Sequence, residues 1–302
     1  MIATCGYEER ARFASETLLT RIGKLHAFAY DMDDVFEYRA NRDFFESHGS
    51  VTEVTETSIE RTVVGLLQGV RGDEPRSGPL RVAVDISSMD RDRIGGVARA
   101  VYEAAVFVGE VRVDFIYAPG NYASDLIGSE GNVLINRPMT GFGGWSGDPD
   151  MPLLCVLGLG FEHQLALAAL ETLEPSKTIA FTALSTDGRY EERVTRDNSF
   201  LIETSAPARA TYEVDQPLSL LRTLDAVVHS ALSDNRVVVV PLGPKIFALA
   251  AVLVALSYDN EIAVWRVSSG ENRTQENRTA TGNLVGVSAR LRPTLESSGS
   301  DS

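Results

Sequence analysis

The chain has 302 residues, 44% of them hydrophobic and 23% charged, enough for one large domain or two of about 150 residues. Its formal net charge of −14 excludes a general nucleic-acid or membrane-surface binder, because either needs an extended basic footprint. Of 28 basic residues only three are lysines, Lys24, Lys177 and Lys245.

From the N-terminus, charge arrives too early, at Glu8-Glu9-Arg10, for a secretion signal, and a cytoplasmic location is expected. The cysteines, Cys5 and Cys155, lie too far apart in sequence for a disulfide framework or a clustered metal site. Asn272-Arg273-Thr274 and Asn277-Arg278-Thr279 match the glycosylation triplet and are read as chance matches in a polar loop. Residues 237–256 are apolar over a membrane-spanning length, but Pro241, Gly243, Pro244 and Lys245 interrupt them. A buried strand, a tight turn and a buried helix are expected there, and no membrane segment.

The predicted elements form two series in the same order. Gly6-Tyr7-Glu8-Glu9-Arg10 follows a short apolar strand and is echoed by Gly160-Phe161-Glu162-His163-Gln164. An amphipathic helix comes next, at 14–19 and again at 165–173. Second strands follow at 25–30 and 178–182. Asn41-Arg42-Asp43-Phe44-Phe45 is matched by Asn198-Ser199-Phe200-Leu201. Strands at 81–85 and 236–241 enter sharp turns, Ile86-Ser87-Ser88-Met89 and Leu242-Gly243-Pro244-Lys245, which open Ala-rich helices at 93–107 and 246–256. Each copy then adds a strand, at 111–117 and 261–267.

The fold class expected is therefore α/β, with two tandem, internally duplicated Rossmann-like α/β/α halves on mainly parallel sheets. The halves are placed at 1–138 and 152–289, with a Gly-rich linker at 139–151 and a disordered polar tail at 290–302.

In such folds ligands collect at the carboxyl ends of strands, which singles out four turns. Gly6, Tyr7 and Glu8 in one copy, and Gly160, Phe161 and Glu162 in the other, combine close approach, a ring that can stack on a base and a carboxylate for an amine or ribose. The competing reading makes the rings core contacts and the glutamates helix N-terminal residues. Asp85, Ser87, Ser88 and Arg91 form a second candidate, with Asp85 for a sugar hydroxyl, the serines as hydrogen-bonding groups and Arg91 for phosphate. Plain N-capping by serine is the alternative. In the third turn Gly243 allows a tight bend, and Lys245 lies in the first turn of a helix, where the dipole disfavours a cation unless an anion is bound. A solvent-pointing lysine is the alternative. Arg266 and Ser268 close the last strand, on the rim. The four histidines are scattered, and no catalytic or metal spacing is present.

The segment Val237-Val238-Val239-Val240-Pro241-Leu242-Gly243-Pro244-Lys245 resembles the Gly-x-Lys turn of CRISPR-associated Rossmann-fold sensor domains, the CARF and SAVED groups. The resemblance covers about ten residues and the strand–helix order. It implies a nucleotide or cyclic-oligonucleotide sensor of bacterial antiviral defence, with Gly160, Phe161 and Glu162 as the first-strand loop and Gly243 and Lys245 as the second. Pro244 departs from the family's small hydroxyl residue, and Ser87-Ser88-Met89 stands where the first copy's lysine turn belongs. The reading favoured is a binding module for a small anionic or nucleotide ligand, with a protein partner supplying the effector activity. A nucleotide- or nucleoside-processing enzyme, using Glu8 or Glu162 as base, and a non-catalytic scaffold subunit are the alternatives. No cofactor is identified.

Overall fold

A computed structural model describes residues 1–73, 78–122, 133–144, 148–185, 187–259, 261–269 and 276–292. The first copy runs β1 (Ile2–Cys5), α1 (Phe13–Leu18), β2 (His26–Ala29), α2 (Tyr38–His48), β3 (Ser50–Glu53), α3 (Ile59–Asp73), β4 (Leu80–Asp85), α4 (Arg91–Val108), β5 (Val111–Tyr117) and β6 (Ile135–Gly143). The second runs β7 (Leu153–Gly158), α5 (His163–Leu173), β8 (Lys177–Leu184), α6 (Arg189–Asp197), α7 (Ser199–Thr204), β9 (Ala208–Glu213), α8 (Pro217–Ala231), β10 (Arg236–Pro241), α9 (Lys245–Ser257), β11 (Ala263–Ser268) and β12 (Val285–Leu291).

Each copy builds a six-stranded sheet, in the order β12-β5-β4-β1-β2-β3 and β6-β11-β10-β7-β8-β9. In each sheet the four other pairings are parallel, and β6 and β12 run antiparallel at the edges. Two sheets of the same strand order, each with helices between its strands, make this an internally duplicated, Rossmann-like α/β protein. The apolar stretch at 237–256 divides into β10 and α9. Among the described residues no helix is long and apolar enough to cross a membrane.

The last strand of each copy crosses to the other copy's sheet. β6 pairs with β11, and β12 pairs with β5 from Val285↔Tyr117 to Leu291↔Val111. This departs from the expected boundaries in two places. The linker expected at 139–151 begins inside β6, and the tail expected from residue 290 begins inside β12. Pro138 sits in β6, a position open to proline because an edge strand has backbone donors to spare. β12 alternates, with Val285 buried and Val287, Ala289 and Leu291 packed on the core while Gly286, Ser288 and Arg290 face out. The remainder of the expected tail, from 293, lies outside the described residues.

The copies share one core. Val97, Val101 and Ala104 of α4 and Phe247, Ala251 and Val254 of α9 join the inner faces of both sheets in a single buried cluster. α9 is apolar around nearly its whole circumference because it is covered on all sides. Separate clusters cover the outer faces, one under α5 and one under α2.

Candidate functional site

The carboxyl ends of the central strands of both sheets open on one cleft of about 890 Å³. Its lining includes twelve of the fourteen residues singled out from sequence: Gly6, Tyr7, Glu8, Ser88, Arg91, Gly160, Phe161, Glu162, Gly243, Lys245, Arg266 and Ser268.

The same local construction positions the first-strand loop in each copy. Asn41, fully buried on α2, donates through Nδ2 to the carbonyls of Gly6 (2.7 Å) and Glu8 (2.8 Å). Asn198, also buried, donates to the carbonyl of Gly160 (2.8 Å). The glycines let these loops press on the turns after β4 and β10. A Cβ on Gly160 would lie 2.7 Å from Gly243 N, and one on Gly6 would lie 2.9 Å from Ser88 Cβ. Gly243 has φ +77°, and a Cβ there would lie 2.4 Å from the carbonyl oxygen of Leu159. Only glycine meets both conditions without strain.

The first residue of each turn's helix reaches into the other copy. Lys245, first in α9, donates from Nζ to the carbonyl of Ser87 (2.6 Å). Arg91, first in α4, donates to the carbonyls of Pro241 (2.5 Å) and Gly243 (3.3 Å). Arg91, singled out for phosphate, lines the cleft, and its guanidinium ties the two turns together. Pro244 is the residue just before α9, with ψ 142°.

Asp85 and Ser87 do not reach the cleft. Ser87 donates to Asp85 Oδ1 through its amide (2.9 Å) and its hydroxyl (2.5 Å), and Ser87 Oγ accepts from the amide of Ala118 (2.8 Å). A strand-end aspartate followed two residues later by serine closes on itself and joins β4 to β5. Burial pushes the Asp85 carboxyl up to about 6, against the Ser87 hydrogen bonds and the charges of Lys245 and Arg10. Ser88 keeps its place in the cleft. Its Oγ is buried with no hydrogen-bond partner among the described residues.

Arg266 lines the cleft with its charge already matched. It donates to Asp92 and to Glu56 Oε1 (2.6 Å), and Arg137 Nη2 joins the same two carboxylates at 3.2 and 3.0 Å. An acidic pair from the first copy thereby holds β6 and β11 of the second sheet and matches the Arg266 charge inside the protein.

Three further side chains complete the site, none of them assigned a role from sequence. Arg10 is buried and donates to Glu8 Oε2 (2.6 Å) and to the Ala118 carbonyl (3.0 Å). It lies in the Gly6–Arg10 turn that the sequence marked as rim. Arg278, paired with Glu276 at 3.1 Å, belongs to a segment strapped to the first copy. Its carbonyl accepts from the Arg10 amide (3.1 Å), and Asn277 Oδ1 accepts from the Glu9 amide (2.8 Å). No spacing in the sequence marks it, because it follows β11 by a long polar stretch. Tyr190 stacks on Phe161 with centroids 5.7 Å apart and donates to the Gly120 carbonyl (2.9 Å). Of the two chance matches to the glycosylation triplet, 277–279 falls in the strap and 272–274 lies outside the described residues.

The electrostatics centre on Lys245. Burial pulls its ammonium down to about 7; Glu8 and Asp90 resist the fall, and Arg10 and Arg278 add to it. Burial raises Glu8, but Arg10, Lys245 and Arg278 outweigh it and hold the carboxyl below its ordinary range. Lys245 has no carboxylate ion pair among the described residues. An anion entering the cleft would therefore meet an ammonium bonded to a carbonyl and to no carboxylate among the described residues. Among the described residues no group of three or more His, Cys, Asp or Glu is placed to hold a metal ion.

No family model and no curated protein matches the chain. Among solved structures, the cytoplasmic domain of a prokaryotic cation chloride cotransporter is similar at 12% identity, over 89% of this chain and 96% of that one, with a TM-score of 0.25. The two-copy architecture stands on the strand order described above.

Proposed function

We propose that the cleft binds a small nucleotide-type anionic ligand and that the protein is a cytosolic sensing subunit whose effector activity resides in a partner protein. The observation that carries this reading is the convergence of both first-strand loops and both later turns on one cleft, with Lys245 at its centre. Lys245 begins α9, whose preceding residue makes no capping side-chain hydrogen bond, so helix dipole and ammonium both favour an anion there. Tyr7, Phe161 and Tyr190 line the cleft and supply aromatic surface against which a base can pack. The resemblance of Gly243-Pro244-Lys245 to the CARF and SAVED turn adds a role in bacterial antiviral defence to the proposal.

Binding is favoured over catalysis because groups that an enzyme would turn on a ribose and a phosphate are engaged within the protein, Asp85 by Ser87 and Arg266 by Asp92 and Glu56. The test is calorimetry and thermal shift of the full chain against nucleoside mono- and triphosphates, NAD, linear dinucleotides and cyclic oligonucleotides. At least one should stabilise the protein by mass action, with affinity lowered tenfold or more in Lys245→Ala. No shift with any member of the panel overturns the reading.

A further inference from the structure

We propose that the edge strand β9 is a docking surface for a second copy of this chain, the two β9 strands pairing antiparallel about a two-fold axis at Thr211. The proposal is independent of what the cleft binds.

β9 pairs with β8 and with no other strand among the described residues. The Val214 amide, just past the strand, donates to the Leu184 carbonyl of β8 at 3.2 Å. Backbone groups alternate in direction along a strand, so those of Tyr212 and Ala210 also face β8. The amides and carbonyls of Arg209, Thr211 and Glu213 therefore face the open edge, a row of donors and acceptors that templates another strand. Their side chains share one face and all three are exposed. Because Ala210 and Tyr212 pack in the shared core, that face is the outer one.

The exposed row is self-complementary. An isologous contact sets each residue opposite its image about the axis. With the axis at Thr211, Arg209 falls opposite Glu213 of the second copy, and Glu213 opposite its Arg209. Opposite charges directly across an antiparallel pair stabilise it, and like charges destabilise it. Arg209 makes no ion pair among the described residues. Glu213 accepts from Gln216 Nε2 through Oε2 (2.5 Å), which leaves Oε1 for a cation. The Glu213 carbonyl accepts from the Gln216 amide (3.1 Å) and keeps a second lone pair.

The other edges lack this combination. β3 has only four residues. β6 is interrupted by Pro138 and by Gly141 at φ +79°. β12 commits Ser288 to Asp114 and Arg290 to Glu110. The helices on either side of β9 also carry exposed apolar side chains, Phe200 of α7 at 70% and Leu218 of α8 at 51%, which a sheet continued by a second copy can cover.

The test is sedimentation velocity of the full chain over a concentration series, in about 0.15 M salt to screen the repulsion between chains of net charge −14. The unsubstituted protein should reach the mass of two chains. Thr211→Pro should give a folded monomer, because proline is tolerated where a strand's N–H faces outward and here removes the bonds at the axis. Arg209→Glu and Glu213→Arg each set like charges opposite one another twice per dimer, and each should raise the dissociation constant about tenfold or more. Mixing the two variants, or combining both changes in one chain, puts opposite charges across every pair again and should restore the dimer. A protein monomeric at every concentration overturns the proposal, and so does a dimer indifferent to Thr211→Pro. Dimerisation lost in Thr211→Pro but unchanged by both charge reversals overturns the Arg209–Glu213 pairing and with it the axis. Should Thr211→Pro fail to fold, the mixture of the two charge variants decides.

Discussion

The two turns at the centre of the cleft share a backbone plan and differ in chemistry. After β4 the chain caps its own helix, with Asp90 accepting from the Arg93 amide at 2.8 Å, and Asp85 closes on Ser87. After β10 no side chain caps α9, Gly243 occupies a left-handed conformation, and Lys245 brings the charge. The first turn caps its own helix and closes Asp85 on Ser87; the second leaves the first helix amides uncapped by any side chain and places an ammonium at the cleft. A repeated fold thus keeps two scaffolds but concentrates anion affinity in one. The cross-bonds through Lys245 and Arg91 keep the two turns in register.

The sharpest way to break this comparison is Gly243→Ala. A left-handed alanine with its Cβ 2.4 Å from the Leu159 carbonyl oxygen should cost on the order of 3–4 kcal/mol, measured by denaturant unfolding. Ser88→Gly, at the matching turn, should cost about 1 kcal/mol or less. Equal losses would show that the turns bear the same strain. Next comes Arg266→Ala, which leaves the buried Asp92 carboxylate with Arg137 alone and should cost on the order of 2–4 kcal/mol. A loss below about 1 kcal/mol would mean that this ion cluster does not hold the copies together. Asn41→Ala strands two loop carbonyls and Asn198→Ala one across the loop. Their costs should be about 2–3 and 1–2 kcal/mol respectively. The reverse order would contradict the contacts described.

The parallel strands and their turns were legible because a strand buried on both faces must be continuously apolar, as in Val237-Val238-Val239-Val240, and must end where glycine, proline or serine bends the chain. The repeat was legible for the same reason, down to Asn41 and Asn198, which prove to clamp matching loops. The exchange of β6 and β12 was not. An edge strand carries a weak pattern, broken in β6 by Pro138 and Gly141, and the sheet it joins is decided by three-dimensional packing. Twelve site residues reach the cleft because strand ends determine where a turn points. Asp85 and Ser87 were misjudged because a two-residue hydrogen-bonded closure turns them inward. Tyr190, in α6, and Arg278, in the strap, reach the cleft through contacts distant in sequence.

The effect that isolates the second turn is in pH. With its folded pKa lowered from 10.5 to about 7, Lys245 holds fewer protons in the native protein than in the unfolded chain throughout that interval. Linkage then makes stability rise with pH from about 7 to 10.5, and the penalty of charging a buried lysine is fully present below 7. Lys245→Met should remove this rise, seen as convergence of the two unfolding curves at high pH and separation at neutral pH. Anion binding runs the other way. It needs the ammonium, so affinity should be greatest below about pH 7 and fall above it by no more than tenfold per pH unit, with proton uptake visible as a dependence of calorimetric enthalpy on buffer. Affinity that rises above pH 7, or a binding enthalpy indifferent to buffer, would move the anion away from Lys245. It would also dissolve the contrast between the turns, since Arg91 at the matching position stays charged throughout that range.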